Sequence, residues 1–171
     1  MKRRKLNLRT VVLVLFTGIT ISSCSKDEKV TEDLLGNWTT VTSTFNVKVG
    51  AQSMLNYFIN DLGYDAWDAG DANALFLDPH KQDFIGSLTI KSDHKYTSNF
   101  GGTVDSGTWS LDSDREKLTL DPVSDDPITI DILNVSSYNL HLIMTKEVNM
   151  DLNSDEILEE IVIEANTNFS K

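Results

Sequence analysis

Asp151, Asn153 and Asp155 place three oxygen donors at alternate positions of Asp151-Leu152-Asn153-Ser154-Asp155, the first, third and fifth places of a calcium loop. Hard cations gather several oxygens at about 2.3–2.6 Å, and acidic and amide residues in a tight turn can supply them. The sixth place, however, is Glu156 instead of glycine, and the twelfth is Val162 instead of a bidentate glutamate. Glu159 or Glu160 would have to complete a looser shell; the competing reading is an acidic hairpin turn before the last strand. Calcium is the one cofactor these residues suggest. His80, His94 and His141 lie far apart without metal-ligand spacing, and neither a Gly-x-Ser-x-Gly turn nor a phosphate-cradling glycine loop occurs. Carboxylate pairs such as Asp125-Asp126, or Asp112 with Asp114, fall in turn sequences, where water solvates them. These features argue against an enzyme.

Cys24 is the only cysteine, so an intramolecular disulfide is ruled out. It follows a basic start (Lys2, Arg3, Arg4, Lys5, Arg9), the apolar run Val11 to Phe16, and the small-residue stretch Ile21-Ser22-Ser23. That order describes a secretory signal peptide over residues 1–23. The apolar run is well short of the roughly 20 residues a membrane-crossing helix needs.

Ile21-Ser22-Ser23-Cys24 resembles the lipobox of bacterial lipoproteins. The resemblance implies that Cys24 is diacylated, becomes the new N-terminus and receives a third acyl chain. Two or more chains hold a protein firmly on a membrane, where one gives only marginal anchoring. Lys26-Asp27-Glu28 resembles a surface-export signal of one large Gram-negative lineage, which implies an outer-membrane address on the cell surface. Residues 24–33 then read as the lipidated cysteine and a flexible tether, and residues 34–171 as the folded domain.

The full chain carries 15 basic and 26 acidic residues, a net of −11; without the five basic residues ahead of Cys24 the net is −16. Such a domain is repelled by nucleic acid, which is set aside as a partner.

About 147 residues follow Cys24, enough for one domain with a single sizeable core. Gly36 to Val49 reads as a first strand. After residue 83 come short alternating segments, among them Phe84 to Ile90, His94 to Phe100, Val104 to Leu111, Lys117 to Leu120, Ile128 to Ile132, Tyr138 to Met144 and Glu160 to Ala165. Period-two alternation with turn residues between marks half-buried strands. About eight of them predict an all-β fold, an antiparallel up-and-down barrel that closes to remove its edges. Ala51 to Asp83 interrupts the pattern: Met54, Leu55, Phe58 and Ile59 have helical spacing, Gly63 stops the helix, and Tyr64 to Asp71 reads as an acidic loop.

Gly36-Asn37-Trp38 and its second copy of the spacing, Gly107-Thr108-Trp109, in this strand pattern resemble the lipocalin-like domains of bacterial lipoproteins over about residues 34–167. The resemblance implies an eight-stranded barrel with Trp38 packed across its closed end. Other lipocalin motifs and a disulfide are missing, and the insertion after the first strand is helical here.

Bulky aliphatics at nearly every inward position, from Phe84 through Ile128 to Ile163, favour a filled barrel, whereas the first strand could turn a polar stripe inward. If its odd-numbered residues face in, Trp38 needs a bulge. Met54, Tyr57, Phe58, Tyr64 and Trp67 form either a lid or a plug at one end. Candidate contacts for a small apolar ligand are Trp38, Tyr57, Phe58, Tyr96 and Trp109. The function expected is therefore that of an envelope lipoprotein that binds a small apolar molecule or serves as a surface binding module. The alternative is a filled barrel contacting another envelope protein.

Overall fold

The computed structural model describes residues 26–171; Cys24 and the leader lie outside them. Helix α1 (Lys26–Leu34) leads into β1 (Gly36–Val49) and the two-residue β2 (Gln52–Ser53). Helices α2 (Met54–Asn60) and α3 (Ala66–Lys81) and a 3-10 turn (Gln82–Phe84) follow. Seven more strands complete the chain: β3 (Gly86–Ile90), β4 (Lys95–Phe100), β5 (Thr103–Leu111), β6 (Lys117–Pro122), β7 (Ile128–Val135), β8 (Asn139–Met150) and β9 (Glu159–Ser170). Each pairs antiparallel with its neighbour, and β9 returns to β1, closing an eight-stranded up-and-down barrel with β2 appended. No described helix is long and apolar enough to cross a membrane.

The barrel is lopsided. β1, β8 and β9 have 14, 12 and 12 residues, whereas β3, β4 and β6 have 5, 6 and 6. β3 pairs with β1 only over Gly36 to Thr39, and β7 meets β8 only up to Ile143. Beyond those points β8, β9 and β1 continue as a three-stranded ribbon, an overhang of roughly 20 Å at about 3.3 Å per residue. The helical insertion fills it. Met54, Tyr57 and Phe58 of α2 and Ala69, Phe76 and Leu77 of α3 join Val47, Val49 and Ile161 in one core cluster with the barrel interior. A single core runs through the barrel and the insertion.

Two sequence expectations are corrected. Residues read as a tether form α1, whose Leu34 is fully buried and anchors its end. The acidic loop from Tyr64 becomes helical at Ala66, because the Asp65 carboxylate accepts from the N–H groups of Trp67 (2.9 Å) and Asp68 (3.0 Å) as an N-cap. Four alanines after that cap then favour helix over loop.

The register of β1 is resolved by a bulge between Thr40 and Thr42. Val41 is pushed outward, 62% exposed. Trp38 faces in before the bulge, and Phe45, Val47 and Val49 face in after it. A bulge inserts one unpaired residue and so flips the facing of everything beyond it. Within the barrel the Ser43 and Thr167 hydroxyls bond each other at 3.0 Å, satisfying the polar pair that the switch buries.

Candidate functional site

The two barrel ends differ. At the end near α1, Trp38 is fully buried and donates Nε1–H to the Leu34 carbonyl at 2.8 Å, and the Lys171 ammonium sits 4.5 Å from the ring centroid. Trp109 donates its indole N–H to the Lys91 carbonyl at 2.8 Å and stacks on His94 at 4.9 Å. Both tryptophans close this end, with their polar atoms satisfied.

At the other end a cavity of about 220 Å³ opens between the 3-10 turn, the short strands and β8. Its apolar wall is Phe84, Phe100, Leu120, Ile128, Ile130 and Met144. Of the residues expected inside, Ile128 is the exception: it stands at the cavity mouth, 48% exposed, because β7 begins there. The polar lining is Tyr96, Ser98 and Asp105, with Asp83 and Lys146 also on the lining. Lys146 donates to Asp83 Oδ2 at 2.6 Å, and His80 Nδ1 lies 3.6 Å from the same oxygen. That ammonium holds the Asp83 carboxyl below its ordinary range.

Ser98 and Asp105 are directly opposed across β4 and β5, so their side chains stand side by side. Tyr96 donates its hydroxyl to Asp105 Oδ2 at 2.6 Å, and the Ser106 N–H donates to Oδ1 at 2.7 Å. Burial first, and then the hydrogen bond to Asp105, push the Tyr96 phenol far above its usual value. Ser98 is 8% exposed, and no described group hydrogen-bonds its hydroxyl.

Of the five residues expected at a ligand site, the structure brings only Tyr96 to the cavity. Trp38 and Trp109 seal the opposite end. Tyr57 and Phe58 lie on α2, where Tyr57 donates to Glu159 Oε1 at 2.6 Å and Phe58 stacks on Tyr64 at 5.6 Å. Trp67 is 86% exposed and plugs nothing.

Asp151, Asn153 and Asp155 share one turn, and their oxygens accept the turn's own N–H groups. Asp151 takes those of Ser154 (2.6 Å) and Glu156 (3.0 Å), Asn153 takes that of Asp155 (2.9 Å), and Asp155 takes that of Ile157 (2.8 Å). Among the described residues no group of three or more His, Cys, Asp or Glu is placed to hold a metal ion.

Ser98 and Asp105 escaped the sequence reading although their signal was present. Ser98 lies between inward Tyr96 and Phe100, and Asp105 shares the parity of inward Trp109. Polar residues at apolar positions of a period-two pattern were the clue.

No family model matches this chain, and no curated protein does. Among solved structures, the crystal structure of a DUF4847 family protein from Bacteroides vulgatus ATCC 8482 is similar, with 14% identity and a TM-score of 0.36 over 79% of this chain and 91% of that one.

Proposed function

We propose that this chain is a lipid-anchored envelope protein of the outer membrane, tethered through Cys24, whose barrel binds a small, largely apolar molecule at the end opposite the tryptophans. The cavity carries this reading: an apolar wall converging on a few polar groups is what a small-molecule site requires. Its roughly 220 Å³ falls below the ~300–1,000 Å³ of drug-sized pockets, so the ligand, or its inserted part, is short.

Native mass spectrometry of residues 25–171, purified without detergent from an envelope-containing lysate, tests the binding. An organic adduct is expected on the wild type and absent from Ile128→Trp, which fills the mouth from an already exposed position. A bare wild-type domain would overturn the reading. Incorporation of labelled palmitate, lost in Cys24→Ala, tests the anchor.

A second reading is favoured by the interior itself. Leu88, Leu118, Leu140, Leu142, Ile161 and Ile163 are essentially inaccessible, so most of the barrel is filled. A filled barrel that presents its loops to another envelope protein is the function left if no adduct forms.

A further inference from the structure

A hydroxyl on a nearly buried side chain that has no protein partner but still touches solvent is free to bond a ligand. Ser98 is such a group, and it lines the cavity wall beside Asp105. Asp105 is itself incompletely used: a carboxylate has about four acceptor sites, and Tyr96 and the Ser106 amide occupy two. Two polar atoms with spare acceptor capacity thus meet on one side of a mostly apolar space.

The charges there are unbalanced in one direction. Among the described residues Lys146 is the only lysine or arginine lining the cavity, and it is engaged by Asp83 at 2.6 Å. Asp105 has no cationic partner among the described residues. Asp121 and Asp125 act on the same spot, since both help to raise the Tyr96 phenol. An anionic head group would face the Asp105 carboxylate there; a cation would be drawn in.

We propose that the cavity ligand is a protonated alkylamine, its ammonium held by the Asp105 carboxylate and the Ser98 hydroxyl and its chain lying along Phe84, Phe100, Ile130 and Met144. This rests on the reading that the cavity binds a ligand. An ammonium has three donors and no acceptor, which suits Asp105 and the oxygen of Ser98. At roughly 30 Å³ per water-sized group, 220 Å³ takes about seven heavy atoms, the size of a hexylammonium ion.

Isothermal titration of residues 25–171 with hexylammonium, hexanol and hexanoate separates the possibilities. Hexylammonium is expected to bind at least about tenfold more tightly than the other two, because the charged hydrogen bond is the stronger kind. Asp105→Asn keeps an acceptor for Tyr96 and removes the charge; it should weaken hexylammonium about tenfold and leave hexanol unchanged. Ser98→Ala, which removes one oxygen that has no protein partner, should weaken hexylammonium severalfold. Cooperative melting of each variant guards against misfolding. Hexanoate binding best would make Lys146 the recognising group, and hexanol matching hexylammonium would make the site purely apolar; either overturns the amine while leaving the cavity reading intact. If none of the three binds, both readings fail.

Discussion

The two ends of the barrel carry aromatic residues in equal prominence and use them in opposite ways. At the α1 end, Trp38 and Trp109 each bury an indole and deliver the ring N–H to a main-chain carbonyl, both at 2.8 Å. At the far end, Phe84 and Phe100 line space instead of filling it, and Ser98 keeps its hydroxyl unpaired. At the first end both indole N–H groups are paired, although Arg115 Nε in the nearby β5–β6 turn is buried without a partner; at the second the Ser98 hydroxyl beside the aromatics is free. Sealing and binding are therefore distinguished by whether the polar atoms of and beside the aromatics are paired, more than by how much aromatic surface is present.

The sharpest way to break this contrast is truncation at the sealed end. Trp38→Ala should cost about 3–5 kcal/mol, the usual range for a fully buried aromatic, since it also orphans the Leu34 carbonyl. Ser98→Ala at the open end should change stability by less than about 1 kcal/mol, because the hydroxyl has no bond to lose. Urea denaturation of both variants checks the pair. Equal losses would mean that the two ends are built alike.

A middle-sized effect lies in the clamp that holds the insertion. Tyr57 of α2 donates to Glu159, and Glu159 Oε2 accepts the Leu152 N–H at 2.8 Å, so one carboxylate ties the helix to β9 and to the acidic turn. The Glu159 hydrogen bond is the largest cause of a Tyr57 pKa pushed up to about 12 from 10.0. The same bond holds the Glu159 carboxyl below its ordinary range. A raised phenol pKa stabilises the fold below the unfolded value, and that contribution is lost as pH rises from about 10 to about 12. The depressed carboxyl stabilises above its unfolded value of 4.5 and loses that contribution as pH falls through its folded value. Absorbance titration should show one tyrosine moving back toward 10 in Glu159→Gln, with Tyr96 unmoved. If both tyrosines shift, the insertion and the cavity are coupled and the two regions are not independent.

The strand pattern made the barrel legible, because period two survives wherever one face is buried. The two Gly-x-Trp copies were legible too, and the structure supplies a physical reason for their glycines. A Cβ on Gly107 would lie 1.9 Å from the Asp121 carbonyl oxygen, and Gly36 holds a φ of +140°, which side-chain-bearing residues rarely adopt. The bulge at Val41 could be posed as an alternative but not chosen, since both parities of β1 carry inward-capable side chains. The cavity was harder to see, because it depends on unequal strand lengths and on where the 3-10 turn returns. Large aromatics drew attention to Trp38, Trp109, Tyr57 and Phe58, yet those are packing residues. The less conspicuous serine and aspartate at inward parity were the better markers.

The smallest expected effect refines the contrast at its rim. Lys146 extends inward from β8, on the same face as Leu140, Leu142 and Met144, and reaches Asp83 across the cavity opening. Both side chains are about 40% exposed, so solvent and salt screen the pair, and Lys146→Met should change stability by no more than about 1 kcal/mol. The depressed Asp83 carboxyl gives the pair its pH dependence: its contribution is present above the ordinary value of 3.8 and lost as pH falls through the lower folded value. Lys146→Met should reduce that small acid-side loss, with His80 still lowering the carboxyl, and leave the alkaline loss at Tyr57 untouched, as denaturation midpoints across pH would show. Removing the lysine also leaves Asp83 with only His80 as its basic partner on the wall it shares with Asp105. If Lys146→Met strengthens capture of a cation while barely changing stability, the rim acts on selectivity; a large loss of stability would instead make Lys146 a brace between the ribbon and the insertion.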